Sequence, residues 1–221
     1  MRLVCVTDNC VLRGSSLWGE HGLCFWVETE RGTVLWDTGQ NPVVLNHNLE
    51  ELNLPGRPIV ALALSHAHYD HSGALRDFLE RNPGLPVFGN ASLFEPRYAS
   101  SGGKVRSIGL HGEPDDWRVR AAFSLSDTPQ EIAPGVRTTG RIAPRPYPQG
   151  SSHHHVVERA GAMQPDPYAD DMSLVLTVSG GIVLLCGCCH AGLRNTLATL
   201  RAQTSEPLLA IIGGTHLDDA A

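Results

Sequence analysis

The densest chemistry in this 221-residue chain lies in the run Leu62-Ala63-Leu64-Ser65-His66-Ala67-His68-Tyr69-Asp70-His71-Ser72-Gly73. Residues 59–64 are apolar and read as a buried strand, which ends in three histidines and an aspartate within six positions. Gathering imidazoles and a carboxylate there is costly unless something compensates them, and a divalent metal is the usual compensator. Alternate residues His66 and His68 project to one side of an extended chain. Asp70 and His71 sit on the turn that follows, and Gly73 opens a helix-like segment over residues 74–80. One short loop can therefore offer ligands to two neighbouring metals. An imidazole-rich site suits Zn, Fe, Mn or Ni, and the loop does not separate them.

The rest of the chain must position that loop. Residues 3–6 read as a strand. Residues 23–28 and 33–36 flank Glu30-Arg31-Gly32, a hairpin signal in which glycine supplies the turn. The second of these strands ends in Asp37-Thr38-Gly39, whose aspartate reads as fixing the neighbouring loop by hydrogen bonds. Asn41-Pro42 starts a helix over residues 42–52, and residues 86–89 form another short strand. Residues 99–150 are rich in Gly, Pro, Ser and Arg and read as short strands and long loops over one face of the site. Gly150-Ser151-Ser152-His153-His154-His155 reads as an exposed loop, since three adjacent histidines cannot all face one metal.

A second hairpin joins residues 174–178 to 182–186 across Ser179-Gly180-Gly181 and ends in Gly187-Cys188-Cys189-His190. An amphipathic helix over residues 193–202 follows, then a buried strand over 208–212 ending in Gly213-Gly214-Thr215-His216. Each half thus runs hairpin, helix, apolar strand, ligand loop. That order predicts an α/β sandwich of two packed sheets with helices outside and a site at their shared rim. Because each histidine follows an apolar strand or its loop, His66, His68, Asp70, His71, His190 and His216 can converge.

Length fits one domain, residues 1–221, with a large core. The hydrophobic content of 42% and charged content of 18% exclude a disordered chain. A formal net charge of -6 argues against nucleic acid as a partner and leaves a small-molecule substrate. No stretch approaches a membrane span, and residues 1–6 do not read as a signal peptide. The cysteines do not read as a disulfide framework: Cys186, Cys188 and Cys189 crowd together, and the others lie in or beside strand-like segments. A reducing cytoplasm is the expected compartment.

The His66-x-His68-x-Asp70-His71 pattern resembles the signature of the metallo-β-lactamase fold. With it, in order, come Glu20-His21-Gly22-Leu23, Asp37-Thr38-Gly39-Gln40, Thr139-Gly140-Arg141-Ile142 and Asp170-Asp171-Met172-Ser173-Leu174. Gly187-Cys188-Cys189-His190-Ala191-Gly192 and Gly213-Gly214-Thr215-His216-Leu217 complete the set. Together they are similar to the branch named for the dihydropterin–ribofuranosylaminobenzene 5'-phosphate synthase of methanopterin biosynthesis, over nearly the whole chain. The resemblance implies a four-layer αββα sandwich. It implies that His190 and His216 join His66, His68, Asp70 and His71 as ligands to two divalent ions (Zn, Mn or Fe, with Mg a further option). Cys188 stands where many relatives carry a bridging aspartate and is either a thiolate ligand or a buried structural cysteine. Asp171, near where other members carry a third-motif histidine, is a second candidate ligand. Arg141, after the family-like Thr139-Gly140, is the candidate phosphate contact, and His21 is expected to border the pocket and meet substrate.

An ion pair lowers the pKa of bound water, leaving a hydroxide near neutral pH for attack on a small phosphorylated or ester substrate. Asp70 would bind metal and orient that hydroxide. The named synthase reaction is instead a condensation that displaces pyrophosphate, and the two kinds of site look alike in sequence. A non-enzymatic metal-binding domain is the third alternative, and the intact ligand set weighs against it. The resemblance also implies further elements beyond Leu217, where this sequence has only residues 218–221. The C-terminal part therefore reads as shortened, leaving strand 208–212 at an edge that invites a second copy. A homodimer is expected.

Overall fold

The computed structural model describes residues 1–54, 58–110, 112, 114–150 and 152–217. Strand β1 (Arg2–Thr7) pairs antiparallel with β2 (Cys24–Thr29), which turns at Gly32 into β3 (Gly32–Trp36). The Asn41 side chain caps helix α1 (Pro42–Glu51) by accepting from the Val43 N–H (2.9 Å), and Pro42 sits in the first turn, where no N–H is needed. The chain returns as β4 (Ile59–Ala63), parallel to β3. Helix α2 (Tyr69–Ser72) then begins inside the histidine run, followed by α3 (Leu75–Arg81) and β5 (Pro86–Gly89). Asp70 and His71 therefore stand on a turn, as the sequence reading has them, and that turn is helical.

Strands β6 (Arg97–Ser101) and β7 (Lys104–Ser107) form a hairpin, and α4 (Pro114–Arg118) leads into β8 (Ala122–Leu125). Next come β9 (Glu131–Ala133), β10 (Val136–Thr138), β11 (His155–Arg159) and β12 (Ala162–Pro165). The last elements are β13 (Ser173–Val178), β14 (Gly181–Cys186), α5 (Leu193–Gln203) and β15 (Leu208–Gly213). They assemble into three sheets, ordered β1-β2-β3-β4-β5-β8, β15-β14-β13-β10-β9 and β12-β11-β6-β7.

Period-two alternation assigns the layers. Trp26, Leu35 and Leu62 turn toward Leu45 of α1 and Leu75, Phe78 and Leu79 of α3. Their neighbours Phe25, Val34, Trp36 and Ala61 face Leu174, Leu176 and Leu185 of the second sheet. That sheet's other face, Val175, Ile182 and Leu184, packs on Leu193, Leu197 and Leu200 of α5. The order is helix, sheet, sheet, helix. Each fully buried leucine here contributes roughly 1.5–3 kcal/mol relative to exposure.

The two halves repeat in detail. The β3–β4 ladder shifts register between Thr33 and Val34, and the parallel β14–β15 ladder shifts between Ile182 and Val183. At both places the first residue's N–H reaches a proline carbonyl: Thr33 to Pro58 (3.0 Å) and Ile182 to Pro207 (2.9 Å). One expectation fails in the second half. Leu208–Gly213 is not buried; Leu209 and Ile211 are 52% and 38% exposed, because β15 pairs with β14 alone at the sheet's end. Residues 218–221, on which the shortened-end reading also rests, lie outside the described residues. The cysteines are all free. No helix among the described residues is long and apolar enough to cross a membrane.

The third sheet was not visible in sequence, since it joins β6 to β11 across a long stretch of chain and its strands are largely polar. Arg97, 1% exposed, fastens it to the body. Its Nη2 lies 2.9 Å from Asp170 Oδ1 and its Nε 3.4 Å from Asp166 Oδ2, while Nη1 donates to the Glu95 carbonyl (2.8 Å). Removing one member of a buried ion network leaves the others uncompensated. Arg97→Met is therefore expected to lower unfolding stability by about 3–5 kcal/mol in chemical denaturation. Unchanged stability would show that the two aspartates do not need the guanidinium.

Candidate metal centre

Asp37, at the end of β3, organises the site from beneath. Its Oδ1 accepts from the Ser65 N–H (2.7 Å), and its Oδ2 from the Ser65 hydroxyl (2.7 Å) and from His71 Nδ1 (2.7 Å). The sequence reading of Asp37 as a loop-fixing group matches this geometry. With its hydrogen given to Asp37, Ser65 Oγ accepts from His66 Nδ1 at 2.8 Å. Both His66 and His71 thus direct an Nδ1–H into this frame and turn Nε2 away from it, the usual support for a metal-binding imidazole. In the metal-free protein burial opposes a charge on His71, but Cys188, Asp37 and Asp70 outweigh it and hold His71 well above the usual histidine value. The loop lies tight on its neighbours. A Cβ at Gly187 would strike the Ser65 hydroxyl and one at Gly22 the Asp70 carbonyl. Behind the loop, the Ala67 N–H is held by Asp170 Oδ2 (2.7 Å).

Five imidazoles meet above this frame. The His66 ring lies 4.5 Å from His68, 4.3 Å from His71 and 4.9 Å from His190, and His190 stacks on His216 at 4.6 Å. His66 Nε2, His68 Nε2 and both nitrogens of His190 are buried without a hydrogen-bond partner. Donor atoms fall within 4.8 Å of one another in three overlapping groups among the described residues: His66–His71–Cys188, His66–His68–His190 and Cys188–His190–His216. Buried polar atoms left unpaired are costly, and lone pairs converging at this range fit a divalent cation. The donor set and the orphaned atoms agree.

Electrostatics follow from the crowding. Burial, reinforced by neighbouring rings, holds His66 and His68 well below the usual histidine value and so neutral. Burial alone would push the Cys188 thiol up, but the His71 charge, with His190 and His216 beside it, outweighs this and brings it down to about 4. Cys188 Sγ lies 3.0 Å from His71 Nε2. It is therefore thiolate in character, not an inert core cysteine. Burial likewise opposes ionisation of Asp70, yet His71, 3.3 Å from its Oδ2, holds the carboxyl far below the usual carboxylate range.

Two cavities meet at His21, Asp70, Cys188 and His216. The smaller, about 110 Å³, is the histidine chamber; the larger, about 540 Å³, runs past Leu23, Phe25 and Ile212. His21 borders both and lies 3.5 Å from Asp70 Oδ2. Asp171 belongs to none of the three donor groups; its Oδ2 accepts from the Ala191 N–H (2.7 Å), and burial raises its carboxyl to about 6. Arg141 lines neither cavity. Its guanidinium pairs with exposed Asp127 at 3.2 Å, so the phosphate contact expected of it is not supported by its position.

Sequence reasoning missed His155 and Tyr168. His153 and His154 are exposed, as expected of a loop, but His155 begins β11 and lines the chamber 5.1 Å from the His68 ring. The strand-like Val156-Val157 that follows was the available signal. Tyr168, 1% exposed, stacks on His190 at 4.5 Å with 8° between planes. Backbone strain concentrates in the same place: Asp37, Tyr168, Cys189 and His216 have φ of 59°, 46°, 58° and 43°. Such conformations cost about 1–3 kcal/mol each and persist where surrounding structure imposes them.

A helix–sheet–sheet–helix sandwich with a histidine cluster on its rim defines a class, and residues 17–164 match the Metallo-beta-lactamase superfamily; the chain belongs to it. It is 26% identical over 221 residues to the 7,8-dihydropterin-6-methyl-4-(beta-D-ribofuranosyl)-aminobenzene-5'-phosphate synthase of Methanocaldococcus jannaschii, spanning 93% of this chain and 74% of that one. An uncharacterized protein of the same organism is 27% identical over 214 residues, 96% and 78% of the two chains. Among solved structures, a metal-dependent hydrolase of the beta-lactamase superfamily superposes with a TM-score of 0.79 at 24% identity, over 99% of this chain and 78% of that one. That likeness is one of fold.

Two outcomes are expected. Asp37→Asn keeps a residue that tolerates positive φ but weakens the hold on His71 and Ser65. Metal affinity should fall about 10–100-fold in chelator competition, and an unchanged affinity would remove Asp37 from the site's support. In metal-free protein, Cys188 should be alkylated well below pH 8, because its thiolate persists to about pH 4, whereas burial pushes Cys5 up to about 11. A Cys188 rate that rises only above pH 8 would contradict this.

Proposed function

We propose that this protein is a metal-dependent enzyme that holds two divalent ions and hydrolyses a small phosphorylated or ester substrate. The observation that carries the reading is the convergence of unpartnered His66, His68 and His190 nitrogens beside Asp70, at the meeting point of two cavities. An imidazole nitrogen ligates one ion only, so the overlapping groups cannot all be filled, and the three imidazoles with unpartnered nitrogens themselves form one of them. His66, His68 and His190 hold one ion, and His71, His216 and Cys188 remain for the second, with Asp70 Oδ2 3.3 Å from His71 Nε2. The ions supply Lewis acidity toward an acyl or phosphoryl oxygen and acidify water.

The chain's own residues do the rest. Asp70 stays ionised across the working pH range, so it accepts a hydrogen bond from attacking water and cannot act as a general acid. His21 stands over Asp70 at the neck between the cavities. The larger cavity offers Leu23, Phe25 and Ile212 to the apolar part of the substrate. A transferase of the dihydropterin–ribofuranosylaminobenzene phosphate synthase kind is the second reading, favoured by the similarity spanning 93% of the chain. The same donors would then face the pyrophosphate leaving group.

Bis(p-nitrophenyl) phosphate with and without Mn or Zn separates the readings. Hydrolysis should require metal and fall to background in His68→Ala, with most metal lost and cooperative unfolding retained. If no ester or phosphodiester is hydrolysed, but pyrophosphate is released from a dihydropterin diphosphate and the aryl ribofuranosyl phosphate, the transferase reading replaces the first. Neither activity in a metal-loaded protein would sink both.

A further inference from the structure

We propose that Arg106 and His155 form a phosphate-holding subsite on the roof of the histidine chamber, with Tyr168 as the positioning residue that fixes His155 as a donor. The inference rests on the reading above that the substrate is phosphorylated, and it names where that phosphate goes. It also replaces Arg141, whose guanidinium is engaged elsewhere.

Placement comes from the third sheet. Ala99 of β6 lies opposite Arg106 of β7 on one side and His155 of β11 on the other. Residues directly opposite in antiparallel ladders project from the same face, so a guanidinium and an imidazole flank one methyl group. Both Arg106 and His155 line the chamber together with His190 and His216. The side chain between them is small, and the cavity that both line holds about 110 Å³.

The hydrogen bonds around Tyr168 bear on what His155 offers. The Tyr168 hydroxyl accepts from the Ser152 N–H (3.0 Å), so its own hydrogen is free for His155 Nδ1, 2.9 Å away. Nδ1 of the neutral ring is then the acceptor, and the ring hydrogen resides on Nε2. Tyr168 is itself immobile: its ring stacks on His190 and its carbonyl accepts from Arg145 Nη2 (2.7 Å). His155 thus differs from His66, which carries its hydrogen on Nδ1 and offers a bare Nε2. It is built to donate, not to ligate. Arg106 supplies the charge. Its guanidinium lies over the Tyr69 ring at 5.5 Å, and among the described residues it has no carboxylate partner. A guanidinium and an N–H donor facing metal ligands suit a multiply charged tetrahedral oxyanion, whose oxygens can reach both sides.

The test is calorimetric titration of the zinc-loaded protein with inorganic phosphate, with zinc content measured in every variant. Arg106→Met and His155→Phe should each weaken phosphate binding about tenfold or more at unchanged zinc content. His155→Gln, which keeps an N–H near the Nε2 position, should recover most of the loss. Nitrogen-15 spectra should show His155 as the Nε2–H tautomer, becoming a mixture in Tyr168→Phe, which retains the ring stacked on His190. Equal phosphate affinity in Arg106→Met and His155→Phe would overturn the subsite, as would acetate binding as tightly as phosphate. Zinc loss in His155→Phe would make His155 a ligand instead, and an Nδ1–H tautomer in the unmodified protein would undo the wiring. Because binding is read without turnover, loss of the hydrolase reading would show separately, as absent hydrolysis with phosphate affinity intact.

Discussion

Crowding of imidazoles is the constraint on which this structure turns. Rings lying 4.3–4.9 Å apart around His66 cannot all be cations, and His66 Nε2, His68 Nε2 and both His190 nitrogens have no protein partner. The arrangement survives because other groups fix each ring. Asp37 and Ser65 hold the undersides of His71 and His66, Tyr168 backs His190, and Asp170 pins the loop backbone at Ala67. Each support is itself buried, and two depend on a residue with positive φ. The sandwich beneath can absorb that strain because its three apolar clusters lie elsewhere, between and outside the sheets.

Repetition of one backbone pattern explains how two loops come to face each other. Each half ends a parallel strand pair with the same register shift and the same proline carbonyl contact. The loops leaving β3 and β14 therefore start level, one carrying Asp37 and the other Cys188 and His190. Trp36 links the halves directly, its indole N–H reaching the Cys186 carbonyl at 3.4 Å. The first half buries its terminal strand inside a six-stranded sheet, whereas the second leaves β15 at an edge. The repeat is one of backbone, not of burial.

Much of this was legible in the residues. Periodicity, the Asn41-Pro42 start and the two glycine turns marked the hairpins and helices, because those are local effects. The clustered histidines at strand ends marked the site, because such groups are expensive without a purpose. What stayed hidden was long-range. Nothing near Arg97 in the chain shows that it will be buried between Asp166 and Asp170, and nothing near His155 shows a partner in Tyr168. Arg141 misled for the converse reason: a neighbouring motif suggested a role, while Asp127, brought close by the fold, occupies it.

Asp170 deserves a mechanical reading. One of its oxygens meets Arg97, which carries the roof sheet, and the other accepts the Ala67 N–H between two chamber histidines. Losing the Arg97 pair would therefore leave uncompensated the carboxylate that anchors the loop backbone. Roof and floor share one buried charge, so a change that unseats the guanidinium is felt between His66 and His68.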